Sequence, residues 1–216
     1  CLLLDYPNYE VLVLPDMQPD HNLSNVSVIP TGHVGPSEKR DMSVKYTTGK
    51  ILAFIDDDAY PDVNWLREAV KYFQEEGVGA ACGPAVTPPQ DGTLRKASGL
   101  IYSSFLGSGS LRFRYIPQPI REVDDYPSCN LIVRKSTFQE AGGFSTHFWP
   151  GEDTKFCLDI VHRLNKKIIY DPDILVYHHR RSLFQPHLKQ VWSYAVHRGY
   201  FAKKYPKTSL RVSYFI

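Results

Sequence analysis

No two cysteines lie close together in this sequence: its four are Cys1, Cys82, Cys129 and Cys157, and no Cys-x-x-Cys pair is among them. A zinc ribbon or a thiol–disulfide motif is thereby unsupported, and a reducing, cytosolic setting fits best. No apolar run reaches the roughly 18–20 residues that a membrane span needs. No internal repeat is present, which removes solenoids and propellers. Low-complexity tracts are also missing, although 16 Pro and 14 Gly mark many loops. Finally, no acidic residue follows Asp173. Beyond it come Arg180, Arg181, Lys189, Arg198, Lys203, Lys204, Lys207 and Arg211, whereas residues 1–173 carry 17 basic against 23 acidic groups. The net charge of +2 therefore hides an acidic body and a basic, aromatic tail. Such asymmetry suggests two jobs, with the tail directed at an anionic surface. A membrane is favoured over nucleic acid because the body is acidic.

What is present is a globular composition, 43% hydrophobic and 22% charged over 216 residues, enough for one sizeable core. The chain opens on Cys1-Leu-Leu-Leu without a Met and stops in the apolar Val212-Ser-Tyr-Phe-Ile216. The expectation is a fragment that begins inside an element, residues 1–4 being a last helical turn, with room for a membrane span to begin beyond Ile216.

The most informative stretch is Ile51-Leu-Ala-Phe-Ile-Asp56-Asp57-Asp58. An apolar strand ends in three carboxylates, residues that strands disfavour. Adjacent like charges need a cation between them or a solvated turn around them. A divalent ion with oxygen ligands meets the first condition, an acidic helix-capping turn the second. Residues 62–73 follow as a helix with Trp65, Ala69 and Phe73 inward, opened by Pro61-Asp62 and closed by Gly77. The order strand, carboxylates, helix is a βα unit with its ligand-binding end marked.

Other segments read as follows. Tyr9–Leu14 and Val26–Ile29 are short strands. Residues 38–47 suggest a helix with Lys39 and Arg40 in its first turn, where the helix dipole disfavours cations and an anionic partner would explain them. Residues 78–86 form a strand rich in small residues, and 90–124 are loop and short helix. Leu131–Arg134 is a strand, followed by a capping box at Ser136-x-x-Gln139. An aromatic loop holding Trp149 precedes Glu152-Asp153, which opens a helix with Phe156, Ile160 and Leu164 inward. A carboxylate there could serve as a general base in a cleft roofed by Trp149, although the dipole alone favours acids at that place. Strands 167–170 and 174–178 lead to His178-His179-Arg180-Arg181, a metal ligand beside phosphate clamps or else a basic surface turn. From Pro186 to Tyr205, Leu188, Val191, Trp192, Ala195 and Gly199 share one side of a helix. His187, Lys189, His197, Arg198, Lys203 and Lys204 mark much of the remainder. That pattern suits either an interfacial membrane helix or a helix packed on its own domain.

Together these residues resemble the family 2 glycosyltransferases along nearly the whole chain. Residues 5–14 are similar to that family's second strand. Pro15-Asp16 stands where the family usually has Asp-Asp, and Met17-Gln18-Pro19 replaces its usual Gly-Ser. Gly35–Arg40 resembles the Lys-Arg segment near the nucleotide, Asp56-Asp57-Asp58 the Asp-x-Asp motif, Asp125–Asn130 the donor-sugar and acceptor-side loop, and Gly151-Glu152-Asp153 the Glu-Asp motif.

The resemblance implies an α/β fold of GT-A type: a Rossmann-like, mostly parallel sheet flanked by helices. The family's first strand and helix would precede residue 1. The expected domains are a catalytic unit, 1–182, and a basic amphipathic, membrane-proximal segment, 183–216. An unpaired sheet edge is expected, and with it a fragment inactive or poorly folded by itself.

It also implies an inverting transfer from a nucleotide-diphosphate sugar to a glycan or lipid-linked acceptor hydroxyl, at the cytoplasmic face of a membrane and in cell-surface glycan or glycolipid synthesis. Asp153, with Glu152, would be catalytic. Asp58 and Asp56, with His178, would hold Mg²⁺ or Mn²⁺. Asp16, Lys39, Arg40, Asp56, Asp57, Asp125, Cys129, Asn130, Trp149, Arg180 and Arg181 would meet the nucleotide sugar. Processive relatives carry Gln-x-x-Arg-Trp where His178–Arg181 stands, so a single addition is expected. The alternatives are a metal-dependent nucleotidyltransferase and a non-catalytic membrane-surface module on the same scaffold.

Overall fold

A computed structural model describes residues 1–20, 24–144, 151–204 and 206. In chain order its elements are β1 (Leu12–Val13), β2 (Ser27–Val28), α1 (Pro36–Tyr46), β3 (Ile51–Ile55), β4 (Ala59–Pro61), α2 (Trp65–Val70), β5 (Val78–Cys82), β6 (Ala85–Val86), α3 (Thr93–Ser103), α4 (Phe105–Ser108), β7 (Arg121–Val123), β8 (Asn130–Arg134), α5 (Lys135–Ala141), α6 (Glu152–Leu158), β9 (Lys167–Tyr170), β10 (Val176–His178) and α7 (Gln185–Lys204).

The central sheet has the order β3-β8-β5-β9-β7. Its apolar strands alternate between two cores, as the two-residue period of a pleated strand requires. Leu52, Phe54, Ala80, Cys82, Leu131 and Val133 point to one side, where Phe138 of α5 and Phe156 of α6 cover them. Ala81 and Ile132 point to the other, under Trp65, Leu66 and Ala69 of α2. The result is an α/β layer structure.

The sheet is mixed, where a mostly parallel one was expected. Within this sheet, among the described residues, only β5 and β9 pair in parallel; β8 runs antiparallel to both β3 and β5, and β7 antiparallel to β9. The reason is positional. Chain arriving from residues 124–129 enters β8 at Asn130, which pairs with Ile55, the last residue of β3. Strand β8 must then run back against its neighbour, and the 124–129 loop is delivered beside the Asp triplet. A second sheet, β4-β10-β6, brings β10 antiparallel to β4, with His178 opposite Ala59.

Three local expectations change. Residues 1–4 form a turn and no helix. The 78–86 stretch divides into β5 and β6, because Gly83 and Pro84 interrupt it. A Cβ at Gly83 would lie 2.1 Å from the Ile174 carbonyl oxygen, so that close approach needs glycine. Helix α5 starts at Lys135 with Arg134 as its cap and no side-chain cap bond, so Ser136 is inside the helix and no capping box forms.

Candidate active site

The Asp56–Asp58 turn joins β3 to β4. The Asp58 carbonyl accepts a hydrogen bond of 2.9 Å from the His179 N–H, which pins the turn to the end of β10. His178 Nε2 then lies 2.9 Å from Asp58 Oδ1, with Arg181 3.8 Å from Oδ2. Burial pushes the Asp58 carboxyl up, but the hydrogen bond from His178, with the charge of Arg181 beside it, outweighs this and holds the group below its ordinary value. Ligand atoms of Asp56, Asp58 and His178 all lie within 4.8 Å of one another. Asp57 is exposed and outside this trio.

Two carboxylates and one imidazole suit Mn²⁺ or Mg²⁺. One adjustment accompanies such an ion. Arg180 Nη1 is 2.9 Å from His178 Nδ1, and a guanidinium can only donate, so Nδ1 accepts and Nε2 carries the proton shared with Asp58. A metal taken through Nε2 requires the proton on Nδ1, and Arg180 must leave that atom.

On the other side, Arg40 of α1 links the triplet to the start of α6. Its Nη2 is 2.8 Å from Asp56 Oδ1 and its Nη1 3.1 Å from Glu152 Oε1. Glu152 is buried, and Arg40 is the cation that faces it. Asp153, one residue on, is half-buried; it accepts from the N–H groups of Ser128, 3.3 Å, and Thr154, 2.8 Å. Burial first, then the charges of Glu152 and Asp125, push Asp153 up to about 7, against Arg40 and the Thr154 N–H. A carboxylate titrating near neutrality at a helix start is suited to accept a proton.

Asp16 is held by Lys39, 2.5 Å, and His33, 2.8 Å. Lys39 is the larger cause of a carboxyl below its usual range.

Four expected ligand contacts are corrected. Asn130 is fully buried. Its Nδ2 donates to the Gly83 and Ile174 carbonyls at 2.5 and 2.8 Å, and its Oδ1 accepts from the Trp65 indole at 2.8 Å. It ties β8 to the Gly83 and Ile174 backbone and, fully buried, presents no atom to a sugar. Asp125 is also buried, 3.0 Å from Arg114 Nη2 and accepting from Thr154 Oγ1 at 3.0 Å, so it acts as a support behind Asp153. Arg180 is buried too. It donates to the Ala85 carbonyl and stacks over Tyr115 at 5.0 Å, so Arg181, 62% exposed, is the arginine open to a diphosphate. The Cys129 thiol is pushed up to about 12 by burial and by Asp56, so it is neutral and a poor ligand. Trp149 lies outside the described residues.

Sequence reasoning missed Arg114, Thr154 and His33. Arg114 stands in an irregular stretch, and no motif distinguishes it. Thr154 adjoins the Glu-Asp pair and was within reach of the argument.

Residues 2–142 match the family model described as glycosyl transferase family 2, and the chain belongs to that family. A pre-mycofactocin glycosyltransferase of Mycobacterium tuberculosis is 28% identical over 149 residues, 68% of this chain and 31% of that protein. The chain thus spans about a third of that relative's length. A Methanococcus voltae dolichyl N-acetyl-α-D-glucosaminyl phosphate 3-β-D-2,3-diacetamido-2,3-dideoxy-β-D-glucuronosyltransferase is 24% identical, covering 93% of this chain and 67% of its own. In fold, the chain resembles the mannosyltransferase PcManGT of Pyrobaculum calidifontis, solved with GDP-Man and Mn²⁺. The TM-score is 0.61 at 19% identity, over 94% of this chain and 57% of that one. TarS of S. aureus, solved with UDP-GlcNAc, gives 0.56 at 19% identity, over 86% and 54%. The fold is therefore that of the GT-A glycosyltransferases.

Proposed function

We propose that this chain moves a sugar from a nucleoside-diphosphate sugar to an acceptor hydroxyl by one direct displacement that inverts the anomeric centre. One observation carries the reading: Arg40 ties the turn holding Asp56 and Asp58 to the helix start holding Asp153, whose carboxyl is raised to about 7.

Asp153 accepts the proton of the acceptor hydroxyl as its oxygen bonds to the anomeric carbon. The bond from that carbon to the diphosphate oxygen breaks, and the electron pair leaves with the nucleoside diphosphate. Arg181 meets the charge that develops there. Mn²⁺ or Mg²⁺ held by Asp58, Asp56 and His178 would neutralise the diphosphate and make it a better leaving group. Asp16 and Lys39 face the nucleoside. Support for donor and ion comes from the solved neighbours with GDP-Man and Mn²⁺ and with UDP-GlcNAc. Support for a glycan or lipid-linked acceptor comes from the name of the M. voltae relative.

The test is a screen of the full-length protein against nucleotide sugars with Mn²⁺. Nucleoside diphosphate release that depends on acceptor and disappears in Asp153→Asn supports the reading. Pyrophosphate release would replace it with nucleotidyl transfer.

A further inference from the structure

We propose that the outer face of α7, continued by α3 and α4, is a docking surface for an anionic lipid bilayer. Helix α7 is packed in the reverse of the usual sense. Over its first turns the protein-facing contacts are polar: His187 is buried 2.8 Å from Ser98 Oγ of α3, and Gln190 accepts from Tyr102 at 3.2 Å. Further along, Phe201 seats on Gly151, where an added Cβ would lie 2.3 Å from the ring. The apolar side is left outward. Leu188 is 63% exposed and Trp192 74%, and with Val191 and Ala195 they line an open groove. A helix stabilised only by its own domain would bury that stripe.

The neighbouring helices α3 and α4 also carry exposed apolar side chains. Leu100, Phe105 and Leu106 are exposed, Leu106 almost completely at 99%. The Leu183 N–H donates to the Leu94 carbonyl at 3.1 Å, and with the two side-chain bonds this fixes α3 and α7 side by side. An exposed apolar area of this extent marks an interaction site.

The charge pattern selects the occupant. No acidic residue lies between Thr93 and Ile120 or after Asp173, whereas Lys96, Lys189, Lys203 and Lys204 are exposed on or beside these helices. Exposed apolar and aromatic side chains interspersed with exposed lysines suit the headgroup region of an anionic bilayer. A second copy would oppose these exposed lysines to one another. Docking itself is independent of the transfer reading. Its consequence, an acceptor offered from the lipid surface to the Asp153 end of α6, rests on that reading.

The test is co-sedimentation of the full chain, without nucleotide sugar, with vesicles of phosphatidylcholine alone or containing about 30% phosphatidylserine. Pelleting with the anionic vesicles is expected. Leu188→Ser/Trp192→Ser, and separately Leu106→Ser, should each weaken it about tenfold with the melting temperature unchanged. Lys203→Glu/Lys204→Glu should remove the preference for phosphatidylserine. Protein that stays in the supernatant with both vesicles, or variants that pellet like wild type, would overturn the proposal. So would a dimer in sedimentation equilibrium that Trp192→Ser dissolves while vesicles bind nothing. Because no donor is present, failure here leaves sugar transfer standing, and inactivity in transfer leaves a positive result here standing.

Discussion

Arg40 lies 3.1 Å from Glu152, a contact spanning 112 positions of the chain, and its second nitrogen lies 2.8 Å from Asp56. Arg40→Ala leaves Glu152 buried without this cation, at a cost of about 3–5 kcal/mol, measurable by urea unfolding. Arg40→Lys should recover only part of this, since an ammonium cannot fork between two carboxylates. Asp153 should rise further in Arg40→Ala, because the charge of Arg40 now lowers it.

Asp153→Asn should lower turnover about 10²–10⁴-fold. In wild type the rate should climb through about pH 7, where Asp153 ionises, and that limb should vanish in the variant. The stability sign is opposite. The folded carboxyl titrates above its unfolded value, so wild type loses stability as pH rises from about 4 to about 7, and the loss persists above that. Thermal melts should show Asn stabilising the fold at pH 8 and gaining little at pH 4.

Metal dependence is checked by chelation and by direct Mn²⁺ titration. Asp58→Asn should weaken Mn²⁺ binding at least about tenfold and abolish donor-dependent turnover. His178→Ala should weaken it less. Undiminished turnover after exhaustive chelation would remove the Asp56–Asp58–His178 assignment.

Asn130→Ala should act on stability alone. It abandons three carbonyls and the Trp65 indole in the interior, at a cost of about 2–4 kcal/mol. Donor KM in the protein that remains folded should match wild type. A raised KM with unchanged stability would restore Asn130 as a sugar contact.

Gly151 sits at φ +129°, immediately before Glu152, with the Phe201 ring against it. Gly151→Ala should shift both α6 carboxylates and the α7 seat, lowering kcat/KM about tenfold or more, since small displacements of a base are costly. Phe201→Ala, which only removes the ring, should be milder.

Much of the fold was legible because its signals are local. The Ile51–Ile55 run and the Lys167–Tyr170 strand each carry their own period and punctuation, whereas the helix expected from Pro61-Asp62 starts only at Trp65, because residues 59–61 form β4 against β10. Where reading failed, the deciding partner was remote. Ser136 has the chemistry of a cap, but β8 runs into α5 one residue earlier. Asn130 and Asp125 stand in a motif-like loop, but the direction of β8 turns both inward.

The sequence by itself determined that three carboxylates end a buried strand, that two more open a helix, and that an amphipathic, acid-free helix lies near the end. Composition and period suffice for that. Only the tertiary structure decided that Arg40 joins the first two groups, that Asp125 and Asn130 serve the framework, and that the first turns of α7 meet the protein through polar contacts. Periodicity shows that a helix has two faces. Which face is covered depends on the shape and hydrogen-bonding groups of the surface it meets, here Ser98, Tyr102 and Gly151, and these are far away in the chain.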